Sequence, residues 1–119
     1  MATDIKKLIP SGSTNGRPIK VAATSTPGTT VHQSATTTVT GCGDTMVASV
    51  YNSDTSDRTI TFECGGTTSP DDHVKRTIPA GETVSVPLPM INNNLILRAF
   101  ASATNVLTVS GYVERITVS

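Results

Sequence analysis

The chain has 119 residues, nine basic and nine acidic side chains that cancel, and only two Tyr, two Phe and no Trp. That length holds one domain with one thin core of Val, Ile, Leu and Ala, and the scattered, balanced charge lacks the basic footprint of a nucleic-acid binder. Apolar runs of a few residues are far short of the roughly twenty that span a bilayer, and residues 1–9 lack the long apolar centre of a signal peptide, so synthesis in the cytoplasm without a cleaved leader is expected.

Residues 1–17 (MATDIKKLIPSGSTNGR) start apolar and basic and then pass into Pro, Ser, Gly and Asn, which reads as an extended N-terminal arm. From Pro18 the composition changes to short runs of Thr, Val and Ile punctuated by Gly, Pro, Asn and Asp, so residues 18–119 are expected to form an all-β, two-sheet antiparallel sandwich of jelly-roll type without a helix. β-Branched side chains suit a pleated sheet and lose rotamer freedom in a helix.

The first strands are expected at 19–24, edge-like, and at 29–33 after the Pro27-Gly28 turn. Residues 45–52 alternate Met46, Ala48 and Val50 on one face with Val47, Ser49 and Tyr51 on the other, and residues 58–64 put Ile60, Phe62 and Cys64 inward. The polar stretch 53–57 between these two predicts an antiparallel hairpin. A loop at 65–72, a strand at 73–78, a tight turn at 79–82 and a strand at 83–88 follow, with Pro87 and Pro89 confining the end of the last to an edge. Strands at 94–101 and 106–116 carry the densest apolar content, and Leu95, Leu97, Ala99, Val106, Val109, Tyr112, Val113 and Ile116 are expected in the core.

Few residues suggest chemistry. Asp71-Asp72-His73 is the most ligand-like cluster, but adjacent residues of an extended segment point to opposite sides, and turn capping explains the carboxylates. Asp54 and Asp57 lack the alternating ligands of a calcium loop. No metal and no cofactor is expected. The imidazoles, His32 and His73, have no GxSxG nucleophile to serve, and the glycines around Cys42 fit a loop entering a strand. Gly65-Gly66 lacks the Lys and helix of a phosphate loop, and Glu63, Glu82 and Glu114 are expected on the wet faces of strands. Cys42 and Cys64 have no CxxC spacing and read as buried free thiols. No catalytic residue is identified, and no enzyme is expected.

The series YNSDTSDRTITFECGGTTSPDDHVKRTIPAGETVSV and NLILRAFASATNVLTVSGYVERI, with VAATSTPGTTVH before them, resembles a family of small virion proteins of tailed bacteriophages. The resemblance rests on the loop after Asn52, the GGTTSPDD loop, the IPAG turn, RAFA and the closing GYVERI, and covers roughly residues 18–117. It implies a β-sandwich in the virion, assembled in the host cytoplasm: a head decoration (cement) protein on the major capsid protein, or a tail, baseplate or fibre component. Decoration proteins of this kind are often trimers, so a homo-oligomer with three subunits is the favoured expectation. An arm that orders on binding suits decoration. A carbohydrate-binding module is the reading from another class, weakened by the scarcity of aromatic platforms.

Within the arm, Ile5, Leu8 and Ile9 are the candidate partner-binding residues, since apolar side chains on such a segment call for a cover, either a partner protein or the domain's own edge strand. Lys6 and Lys7 would then face acidic neighbours.

Overall fold

A computed structural model describes residues 3–118, and residues 1, 2 and 119, at the ends of the expected arm and domain, lie outside them. Ten strands and no helix are present among the described residues: β1 (Thr3–Leu8), β2 (Ile19–Lys20), β3 (Thr29–Gln33), β4 (Gly43–Asn52), β5 (Arg58–Cys64), β6 (His73–Ile78), β7 (Thr83–Pro87), β8 (Ile96–Ala101), β9 (Leu107–Ser110) and β10 (Val113–Val118). They form two antiparallel sheets packed as a sandwich. One runs β1-β10-β4-β9-β2, with β7 also on β4; the other runs β3-β8-β5-β6.

The first sheet is organised by β4. Its residues Ser49 to Tyr51 pair with β7 and with β9, so both of its edges are occupied. β9 and β10 lie along the same edge in one unbroken register, Ser49 opposite Ser110 and Met46 opposite Val113. The single strand expected at 106–116 is therefore collinear but interrupted. At Gly111 the backbone takes a φ of 130°, and a Cβ there would come within 3.0 Å of the Val47 carbonyl oxygen. A glycine lets the two chains stay close where the ladder lapses.

The hairpin expected from residues 45–52 and 58–64 does not form: β4 and β5 belong to different sheets. With both edges of β4 taken, residues 53–57 instead cross from one layer to the other. Asn52 organises this corner. Its side chain is fully buried, Nδ2 donates to the carbonyls of Ser56 and Ile78 at 2.9 Å each, and Oδ1 accepts the Asp54 N–H at 2.9 Å.

The inward faces interdigitate as the alternation predicts for β4, whose Met46, Ala48 and Val50 are buried while Val47 and Tyr51 face solvent. Ile60, Phe62 and Ile78 meet them from the second sheet, with Leu97, Ala99, Val109 and Val113 completing the centre. Four of the expected core residues are not fully buried, although Val106 packs against the core. Tyr112 and Leu95 are exposed, and Val106 and Ile116 are half-buried. Tyr112 is out of phase with Val113, which takes the inward position, and Leu95 follows the left-handed Asn93 and Asn94 before β8 begins.

Candidate functional site: two buried carboxylates and an exposed sheet face

Asp44 is the second residue of β4, in phase with Met46, Ala48 and Val50, and so points into the sandwich. Arg115 sits directly opposite it on β10. The guanidinium donates to both carboxylate oxygens, Nε to Oδ1 at 2.8 Å and Nη2 to Oδ2 at 2.9 Å, while Nε2 of buried His32 lies 2.6 Å from Oδ2. Burial pushes the Asp44 carboxyl up, but the hydrogen bonds from Arg115 and His32 outweigh it, and the group titrates below its ordinary value. The same contact raises Arg115. His32 reaches inward beside Val31 because the β3–β8 register shifts between Thr30 and His32. Its Nδ1 accepts the Ser11 N–H at 3.0 Å, which assigns the ring proton to Nε2 and makes that atom the donor to Asp44.

This network ties the N-terminal segment to the sandwich. Ser11 Oγ also accepts the Gln33 N–H at 2.7 Å, and the Gly12 N–H donates to the Val31 carbonyl at 2.9 Å. Residues 3–8 of the expected arm form the edge strand β1, paired along its length with β10.

Glu63, expected on a wet face, is fully buried. On β5 the residues Ile60 to Glu63 are all enclosed, Ile60 and Phe62 by the core and Glu63, on the other side of the strand, by the chain at 26–28. Thr26 Oγ1 donates to Glu63 Oε2 and the Gly28 N–H to Oε1, each at 2.6 Å, and His73 Nε2 lies 3.6 Å from Oε2 with its ring edge-on to Phe100. The carboxylate clasps a loop onto a strand.

The other sequence candidates are separated. Asp72 caps its own loop through Thr68, and no group of three His, Cys, Asp or Glu side chains among the described residues could hold a metal. Cys42 is buried and Cys64 half-buried, both free, and burial together with the Asp72 carboxylate pushes the Cys64 thiol up to about 11, which suppresses its thiolate. Glu82 is exposed and Glu114 half-buried.

The exposed chemistry is apolar. Val47 (58% exposed), Tyr51 (43%) and Tyr112 (49%) point outward from the first sheet, and Ile5 (58%) joins them from β1. Lys7 lies over the Tyr112 ring, 5.0 Å from its centre, opposite Glu114 in the ladder. Lys6 is 3.9 Å from Asp4 of its own strand. Leu8 packs against the core, whereas Ile9 is exposed.

Asp44, Arg115 and Glu63 escape a reading by composition, although extending the alternation of β4 upstream by two residues places Asp44 inward, and Arg115 is likewise in phase with Val113. The burial of Glu63 has no such signal, because it depends on a loop from a distant part of the chain. Compared with known proteins, the chain matches no family model, no curated protein and no solved structure.

Proposed function

We propose that this chain is a non-enzymatic structural protein of a tailed-phage virion, a capsid decoration protein that seats on the major capsid protein and stabilises the head surface. The observation that carries the reading is the outward face of the first sheet, where Val47 and Tyr51 of β4 and Tyr112, between β9 and β10, stand exposed among short polar residues. A face of that composition, weakly charged, suits contact with another protein surface. The resemblance of residues 18–117 to small virion proteins supplies the setting.

The two buried carboxylates agree with a structural role. Asp44 and Glu63 are both engaged by donors of the chain itself, and each joins segments distant in sequence. A slab of 51 × 27 × 20 Å with distant segments tied in this way suits a protein that persists on a surface.

The test is protein identification and copy number on separated heads and tails of the virions. Stoichiometry with the major capsid protein in the head fraction is the expected result. Recovery in low copy with the tails would overturn decoration and move the chain to the tail, baseplate or fibre.

A further inference from the structure

β1 is the outermost strand of the first sheet: one edge pairs with β10, and among the described residues no strand pairs with the other. Six residues of extended backbone without Pro therefore present unused N–H and C=O groups, the template on which another strand adds. Proteins blunt such edges with charge, and the charges here are not of one kind. The strand reads Thr3, Asp4, Ile5, Lys6, Lys7, Leu8.

The occupant follows from which pairings the side chains permit. A second copy adding antiparallel to β1 is related by a twofold axis perpendicular to the sheet, so facing residues share a face and the axis passes by a single residue facing its own copy. Centring on Asp4 sets carboxylate against carboxylate, and centring on Lys6 or Lys7 sets ammonium against ammonium. Centring on Thr3 or Leu8 leaves most of the strand without a partner. Centring on Ile5 places Asp4 opposite Lys6 of the second copy, twice by symmetry, and Thr3 opposite its Lys7. Opposite charges directly across a ladder attract and like charges repel, so one register is favoured and its neighbours are opposed.

The outer face agrees with that register. Ile5 pairs with Ile116 on β10 and is itself 58% exposed. With Ile5 on the axis, the two copies of Ile5 become cross-strand neighbours and are flanked by the two copies of Ile116. Four isoleucines then run across the joined sheet, covering apolar surface that a single chain leaves in water. Asp4 and Lys6 point to the opposite face, where the charged pairs lie.

We infer that β1 is the interface of a twofold homodimer in which two copies join their first sheets into one, with Ile5 on the axis and Asp4 of each copy paired to Lys6 of the other. This goes beyond the virion assignment and is tested on the purified full chain, so its failure leaves that assignment standing.

The experiment is sedimentation equilibrium of the chain and of two charge reversals, Asp4→Lys and Lys6→Asp. Both positions are well exposed, and the contact between them within one strand is a surface pair of little worth, so the fold is retained and thermal melting verifies it. The unaltered chain is expected as a dimer, and each reversal, which sets like charges opposite at both pairs, is expected to weaken it at least tenfold. Mixing the two variants restores a dimer, because every facing pair in the mixed species is again Lys against Asp. A monomer at all concentrations, a trimer, a dimer indifferent to both reversals, or variants that do not recombine on mixing would each overturn the inference.

Discussion

Arg115 on β10 faces Asp44 on β4 in the ladder and grips both of its carboxylate oxygens, at 2.8 and 2.9 Å, while the carboxylate itself is almost wholly removed from water. The pair joins the strand next to the edge with the central strand of the first sheet, and His32 brings β3 of the opposite sheet to the same carboxylate. Three segments far apart in sequence converge on one charge. Replacing Asp44 with Asn keeps the shape but leaves Arg115 without its counter-ion, and because the Arg115 side chain is itself 32% exposed and can be solvated, the expected cost is about 1–3 kcal/mol. Urea unfolding of the Asp44→Asn variant measures it, and a loss below about 1 kcal/mol would show that the clasp contributes little.

Acid sensitivity follows from the same group. The folded value of Asp44 lies below the ordinary 3.8 of an unfolded carboxyl, so its stabilisation is complete above 3.8 and is lost as pH falls through the lower folded value. Asp54, half-buried and held down chiefly by its hydrogen bond from Arg58, acts with the same sign. The denaturant midpoint should therefore decline on acidification below 3.8, and decline less in Asp44→Asn. Parallel declines in the two proteins would assign the acid sensitivity to other carboxylates.

Glu63 accepts the Gly28 N–H and the Thr26 hydroxyl, one on each oxygen. Glu63→Gln can keep both contacts, its oxygen accepting the Gly28 N–H and its amide donating to the Thr26 hydroxyl, whereas Glu63→Ala removes both acceptors and leaves the Gly28 N–H without its partner, at a cost of about 1–3 kcal/mol. Amide hydrogen exchange at Gly28 is expected to accelerate in Glu63→Ala, whereas amides in the centre of β4 change less. Unchanged protection at Gly28 would mean that the loop is held by its packing rather than by the carboxylate.

Asn52 donates to two carbonyls at the corner between the sheets. Asn52→Ala removes those donors and leaves the Ser56 and Ile78 carbonyls short of a partner, for a loss of about 2 kcal/mol. Asn52→Asp is expected to be worse near neutral pH, because an ionised carboxylate would then face those two carbonyls in a site without solvent. Thermal melting of both variants gives the order, and Asp tolerated better than Ala would contradict the donor role.

The two thiols should resist modification in the folded chain. Cys42 is buried, and Cys64, with its thiol raised to about 11, carries almost no thiolate at mildly alkaline pH. Aromatic disulfide reagents are expected to react slowly with native protein and rapidly with both residues in denaturant. Fast reaction of one thiol in the native state would mark that site as open.

Much of the local structure was legible in the residues alone. The strands at 29–33, 58–64 and 73–78 have the bounds expected of them, and the burial of Met46, Ala48 and Val50 follows from alternation, because side chains on a strand point to opposite faces in turn. Proline placed the end of β7 at an edge by the donor it lacks. Residues 106–116 were legible as extended, with the break at Gly111 marked only by the glycine itself.

Which strands pair was decided by the tertiary structure. Ladder hydrogen bonds are alike for every pair of strands, so the short loop at 53–57 fits a hairpin and a crossing between layers equally well, and the choice fell to β4, whose edges were already filled by β7, β9 and β10. The same holds for charge. Asp44 and Glu63 sit inside only because Arg115, His32, Thr26 and Gly28 arrive from elsewhere in the chain to satisfy them, and a carboxylate's burial depends on partners that its neighbours in sequence do not disclose.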